Sequence, residues 1–173
     1  QYSGFPLLFN ANDLEIEQGK QVIVETRRGR EIGELVRDIY EVDSAELGKK
    51  EGKRPVLREA NHKDLEKFEF AQSKAREALP IFKRIAADEC PDMRPVAVEY
   101  MLEGNKAVFY FEAENRVDFR QLIKKLSAEF HVKIDMRQIG VREEARLLGD
   151  YGSCGHGLCC KLMHGDFKPV SIR

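Results

Sequence analysis

The longest unbroken periodicity in the chain constrains its fold most. Residues 62–89 place Leu65, Phe68, Phe70, Ala71, Ala75, Ala78, Leu79, Phe82, Ile85 and Ala86 mostly at spacings of three and four. That rhythm lines one face of an α-helix. An amphipathic helix of this length must bury its apolar stripe against a second layer. Asn61 stands where an N-cap is wanted, and Cys90-Pro91 closes the run. Pro80 is expected to kink or split the helix, because it lacks an N–H and its ring crowds the preceding turn.

The flanking segments supply the second layer. Residues 55–58 form a short strand. Residues 95–102 and 106–113 are two more strands, and the Gly in the connection Glu103-Gly104-Asn105 favours a hairpin. Residues 118–130 carry Phe119, Leu122, Ile123 and Leu126 on one helical face. Residues 132–139 alternate Val132, Ile134 and Met136 as a strand does. The order β-α-β-β-α-β is the split-βαβ, ferredoxin-like plan, so the class is α+β. Upstream, KQVIVET at residues 20–26 and the run from Arg30 are separated by Arg27-Arg28-Gly29, which predicts a hairpin with an exposed tip. Three parts follow: an N-terminal β-rich unit over 1–53 ending in a charged linker, a ferredoxin-like body over 54–139, and a Cys/Gly-rich loop segment over 140–173.

Charge narrows the classes of function. With 29 Lys+Arg against 30 Asp+Glu the net charge is -1, which excludes a binder steered by overall positive charge and leaves room only for a local basic face. No apolar run approaches the ~18 residues of a membrane span. The start QYSGFPLLFNAND has neither the basic opening nor the apolar length of a signal peptide, so the expected compartment is the cytoplasm.

Three of the four cysteines, Cys154, Cys159 and Cys160, lie within one short segment. Adjacent cysteines pair with each other only under strain. In a reducing compartment such a cluster more often binds metal or does redox chemistry. Thiolates select zinc, cuprous copper or iron–sulfur clusters. The paired C-x₂-C knuckles of a closed zinc site are absent, and C-x₄-C-C suits an open or shared iron–sulfur site at least as well. His156, His164, Cys90 or a cysteine of another chain are the candidates for a fourth ligand, with His156 and His164 also placed as outer neighbours. Gly- and Cys-rich loops are poor core builders, so a bound inorganic centre is the simplest means of ordering this one. The competing readings are small buried thiols and a cysteine activated by His156 or His164 as a nucleophile or redox switch.

A second constellation is basic. Residues 116–146 carry eight basic and five acidic side chains, a local +3. Arg120 and Lys124 are i,i+4 neighbours, and Arg137 and Arg142 flank Ile139-Gly140 beside the cysteine segment. These four are the candidates for RNA or partner binding, weighed against a merely solvated surface. Phe109 and Phe111 share one strand face; bases would stack there in an RNA binder, but packing against the two helices is the favoured role.

The residues also carry a resemblance. NRVDFRQLIKKL, MRQIGVREEARLLG, CGHGLCC and GDFKPVSI, with VIVETxRGxExGxV at residues 22–36, resemble the RicT (YaaT) family, which has the polymerase-suppressor type of C-terminal domain. The resemblance implies a cytosolic, non-enzymatic adaptor that assembles with small helical proteins of the YlbF/YmcA type. It further implies a [4Fe–4S] cluster, with zinc the alternative, and direction of the endoribonuclease RNase Y in mRNA maturation. Sporulation, competence and biofilm development are the processes implied. Cys154, Cys159 and Cys160 match the family's first cysteine motif. His156 stands where many relatives have Arg, which removes it from the family's ligand set. The second cysteine motif of the family has no counterpart before Arg173; if that motif is needed to complete a cluster, these residues alone are expected to carry none. Direct RNA binding with a structural zinc is the alternative function, and a thiol redox switch the second.

Overall fold

The computed structural model describes residues 7–40, 54–115 and 117–159. The part of the linker over 49–53, Phe5, Arg116, Cys160 and His164 lie outside the described residues. Two antiparallel strands, β1 (Gln21–Thr26) and β2 (Gly29–Glu34), form the predicted hairpin. The strand β3 (Val56–Glu59) follows, then α1 (His62–Glu89), β4 (Arg94–Tyr100), β5 (Lys106–Glu112), α2 (Arg120–Phe130), β6 (Lys133–Gln138) and α3 (Val141–Leu148). The class is α+β, and β3 to β6 run in the expected β-α-β-β-α-β order.

The pairing adds a refinement. One three-stranded sheet has the order β2-β1-β3 and the other β4-β5-β6. The first strand of the body therefore pairs with β1 of the N-terminal hairpin. The local reason is apolar: Val56 joins Val22 and Val24 in a buried cluster that Phe9, Leu14 and Ile16 pack against. In the second sheet β4 and β5 are an antiparallel hairpin, and β6 lies parallel to β5 with α2 as the crossover. Gly104 takes the hairpin turn at φ +71, a left-handed conformation in which a side chain is strained.

Both long helices cover one face of the second sheet. Phe82 and Ala86 of α1 and Leu122 and Leu126 of α2 pack on Ala107, Phe109 and Phe111 of β5. Phe82 meets Phe109 edge-on at 5.0 Å, and Phe111 meets Phe119 at 5.8 Å. These phenylalanines are core, as the favoured reading had it, and no base can reach them.

The ends of α1 follow its sequence. Asn61 accepts from the Asp64 N–H, and Asp64 accepts from the Asn61 N–H, a reciprocal capping box. The expected break at Pro80 does not occur; α1 is one helix from His62 to Glu89. Pro80 is exposed, while Ala78 and Phe82 on either side of it are buried, so packing holds both halves in register across the one bond proline cannot make. Phe70 departs from the apolar stripe and is 62% exposed.

A second correction falls after Gly140, where a Cys/Gly-rich loop without a long periodic element was expected. The helix α3 forms there because Glu143 and Glu144 sit in its first turn, where carboxylates favour a helix N-terminus, and the Gly140 N–H donates to Glu143. Among the described residues no helix is long and apolar enough to cross a membrane.

Candidate functional site

The far face of the β4-β5-β6 sheet leads from the body to the cysteine segment. Val96, Met101, Val108, Tyr110 and Ile139 are buried there, and Leu147 of α3 packs against them. Glu144 of α3 is buried and ion-paired with Arg94 of β4, which also donates to Glu112 at 2.9 Å. One apolar and one charged contact thus seat α3 on the sheet, and the segment that follows it starts from a held position.

That segment closes on itself. The Gly152 N–H donates to the His156 carbonyl at 2.8 Å, the Gly155 N–H to Gly152 at 2.9 Å, and the Leu158 N–H to Asp150 at 3.1 Å. Tyr151 and Gly157 form an antiparallel bridge. Gly155 has φ +77, which explains a glycine at the head of the turn. Backbone hydrogen bonds therefore contribute to the order that was assigned to a bound centre alone. Cys154 and Cys159 are both exposed. A Cβ on Gly152 would lie 3.4 Å from Cys154 Sγ, an ordinary van der Waals contact. His156 Nδ1 lies 3.2 Å from the Cys154 carbonyl and donates to it in the tautomer that carries the proton there.

This donor set fits a thiophilic centre in kind. Two exposed thiols on a turn held by glycines can reach a metal without burying charge, and soft thiolates select zinc or iron–sulfur. Among the described residues no group of three or more donors is gathered at one point. The described turn thus supplies part of a ligand set. Cys90, by contrast, is buried, and its S–H donates to the Asp118 carbonyl at 3.6 Å. Burial, with Glu89, Asp118 and Asp92 nearby, pushes that thiol up, away from the reactive thiolate.

The four basic candidates separate into groups. Arg120 and Lys124 lie on the exposed side of α2, with Arg120 3.4 Å from Asp118. Arg137 of β6 pairs in register with Tyr110 of β5, and its charge acts on the Tyr110 hydroxyl on the far face of the sheet. Arg142 is exposed in the first turn of α3. The helices and the far face are opposite sides of one sheet, so Arg120 and Lys124 do not share a surface with Arg137.

At the hairpin tip of the first sheet Arg27 and Arg30 are exposed, as expected, and Arg28 is half-buried. Arg28 reaches the far face of the second sheet, where its guanidinium donates to Glu99 at 2.7 Å and to the Tyr110 hydroxyl at 2.8 Å. It also holds Glu31 through two bonds, at 2.7 and 3.0 Å. Tyr110 in turn donates to Glu99 at 2.8 Å. Burial opposes the Arg28 charge, but Glu31, Glu99 and Tyr110 outweigh it and raise the pKa above the usual arginine value. Burial and Glu99 raise that of Tyr110. Local sequence patterns had no means of finding this contact, because Glu99 is 71 positions from Arg28.

Residues 54–139 match the PSP1 C-terminal conserved region. The chain is 42% identical over 165 residues to the Stage 0 sporulation protein YaaT of Bacillus subtilis (strain 168), an alignment over 95% of this chain. The chain spans 59% of the length of that relative. No solved structure matches it.

Proposed function

The chain belongs to the family defined by the PSP1 C-terminal conserved region, and on that premise we propose that it is a regulatory, non-enzymatic adaptor. It assembles with small helical proteins of the YlbF/YmcA type, shares a [4Fe–4S] cluster with them, and directs RNase Y in mRNA maturation in the cytoplasm. Sporulation, competence and biofilm development are the processes it serves. The observation that carries the reading is the 42% identity to a sporulation protein over 95% of the chain, a span that takes in the cysteine turn. The exposure of Cys154 and Cys159 on a turn seated by α3 supports a centre at a docking face rather than in a core. Cys154, Cys159 and Cys160 would hold the cluster, which supplies a rigid, oxygen-sensitive link between chains. Remaining ligands come from a partner or from another part of the full-length chain.

The test is anaerobic purification of the full-length chain with its helical partners, followed by iron, sulfide and zinc analysis. Replacing Cys154, Cys159 and Cys160 together by Ser keeps the size and removes the soft donors. The triple variant is expected to lose iron and sulfide, while Cys90→Ser keeps both. Metal content unchanged in the triple variant refutes the cluster assignment. Zinc without sulfide in the unaltered assembly selects the structural-zinc alternative.

A further inference from the structure

One cleft lies away from the cysteine turn. It opens between α1 and the β4–β5 turn and has a volume of about 190 Å³. Its origin is local: α1 turns the small Ala71 toward the ends of the strands, where a larger side chain would fill the gap. Lys67, Phe70 and Lys74 of α1 line one wall, and Tyr100, Glu103 and Gly104 belong to the other. Phe70 is 62% exposed in the middle of a helix whose other large apolar residues are at least partly buried. Lys74 Nζ stands 4.6 Å from the centre of its ring.

The chemistry of this lining is specific. The charge of Lys67 acts on Asp64 one turn earlier, Lys74 stands against the ring, and the two lysines sit at i−3 and i+4 from the exposed Phe70. An exposed ring with one cation against it and a second a turn earlier along the same helix accepts a flat group carrying negative charge. The volume exceeds the roughly 30 Å³ share of one water and falls below the roughly 300 Å³ at which pockets for larger ligands begin. One ring fits, not a large ligand. Tyr100 adds a phenol to the wall.

We infer that this cleft takes one nucleotide of single-stranded RNA, with the base against Phe70 and the adjoining phosphates on Lys67 and Lys74. Stacking on an aromatic side chain tolerates any base, and the lysines act through the backbone, so the site favours single strands without reading their sequence. The net charge of -1 is no obstacle, because the two lysines at the cleft outnumber the one carboxylate of its wall, Glu103. The site is distinct from Arg120, Lys124, Arg137 and Arg142, and it does not depend on a cluster or on helical partners. Its failure leaves the adaptor reading standing, and the failure of that reading leaves the cleft standing.

The experiment is titration of a fluorescein-labelled octauridylate with the unaltered chain, followed by anisotropy at several salt concentrations. Binding is expected to weaken as salt rises. Lys67→Glu with Lys74→Glu is expected to weaken it tenfold or more and to flatten the log–log salt slope by about 1.4, two single-strand phosphate contacts. Phe70→Ala is expected to weaken it about tenfold while leaving the slope unchanged, as a lost stacking contact does. Because all three side chains are exposed, the variants are expected to keep the parent melting temperature, which is measured alongside. Affinity unchanged in both variants, or no binding at low salt, overturns the inference. Displacement of the octauridylate by polyglutamate at equal charge concentration also overturns it, by making the cleft a dock for acidic protein.

Discussion

Arg28 and Asp64 show how single side chains tie distant segments together. Arg28 sits at the tip of the first hairpin, and its removal takes from Glu31, Glu99 and Tyr110 the one guanidinium that bonds to all three. Hydrogen-bonded charges that lose a partner cost more than surface pairs. Arg28→Ala is therefore expected to cost about 2 kcal/mol, and to lower Tm by about 4–8 °C for a chain of this size. A thermal scan of the variant against the parent checks it; a shift under a degree means the hairpin does not brace the sheet. Asp64 acts at the start of α1. The Arg58 hydrogen bond at 2.5 Å, opposed by burial and helped by the Asn61 N–H, holds its carboxyl down at about 2. A lowered carboxylate pKa contributes stability that is present above the ordinary carboxylate range and is lost as pH falls toward 2. Asp64→Asn is expected to flatten that acid limb between about pH 4 and pH 2, read as the change in urea midpoint with pH. An acid limb identical to the parent's refutes the linkage.

Elements carry their own tests. The helix α1 passes through Pro80, which is exposed and packs no core. Proline in a helix interior is less favourable than alanine by about 3 kcal/mol, while its effect on the unfolded chain offsets part of this. Pro80→Ala is expected to raise stability by about 1–2 kcal/mol, measured as an increased urea midpoint at constant m. A destabilised variant would show that the proline shapes the packing of α1 on β4. The helix α3 shows a different balance. It is short, and Leu147 against the far face and Glu144 against Arg94 hold it in place. Its exposed Val141 and Leu148, with Tyr151 beyond them, continue an apolar edge toward the cysteine turn.

For the molecule as a whole, the two sheets are linked by β3 pairing with β1 and by Arg28 reaching across to Glu99. The cysteine turn hangs on this body through α3. A chain ending at Gly149 keeps Leu147 and Glu144 and is expected to melt within about 2 °C of the parent, since it loses no part of the described core. A chain ending at Gly140 uncovers the face around Val108, Tyr110 and Ile139. It is expected to unfold cooperatively but with about 1–2 kcal/mol less stability, the worth of one partly buried leucine. Equal melting of the two truncations would show that α3 contributes nothing to the fold.

The sequence by itself determined the elements that rest on local patterning. The 3–4 spacing of α1, its Asn61 cap, the alternation of β6 and the hairpin at Gly104 are written in neighbouring residues, because helix and strand periods are properties of a short stretch of chain. The cysteine turn was legible in the same way, from three thiols and their glycines. The short helix after Gly140 was not read, since eight residues hold too few periods to stand above their surroundings. Tertiary structure alone decided that β3 joins β1, that Arg28 bridges to Glu99, and that Arg137 lies on the opposite side of the sheet from Arg120 and Lys124. It also turned Phe70 outward beside two lysines. Each of these depends on which surfaces meet once the chain has folded, and contact between residues tens of positions apart leaves no periodic mark in the sequence between them.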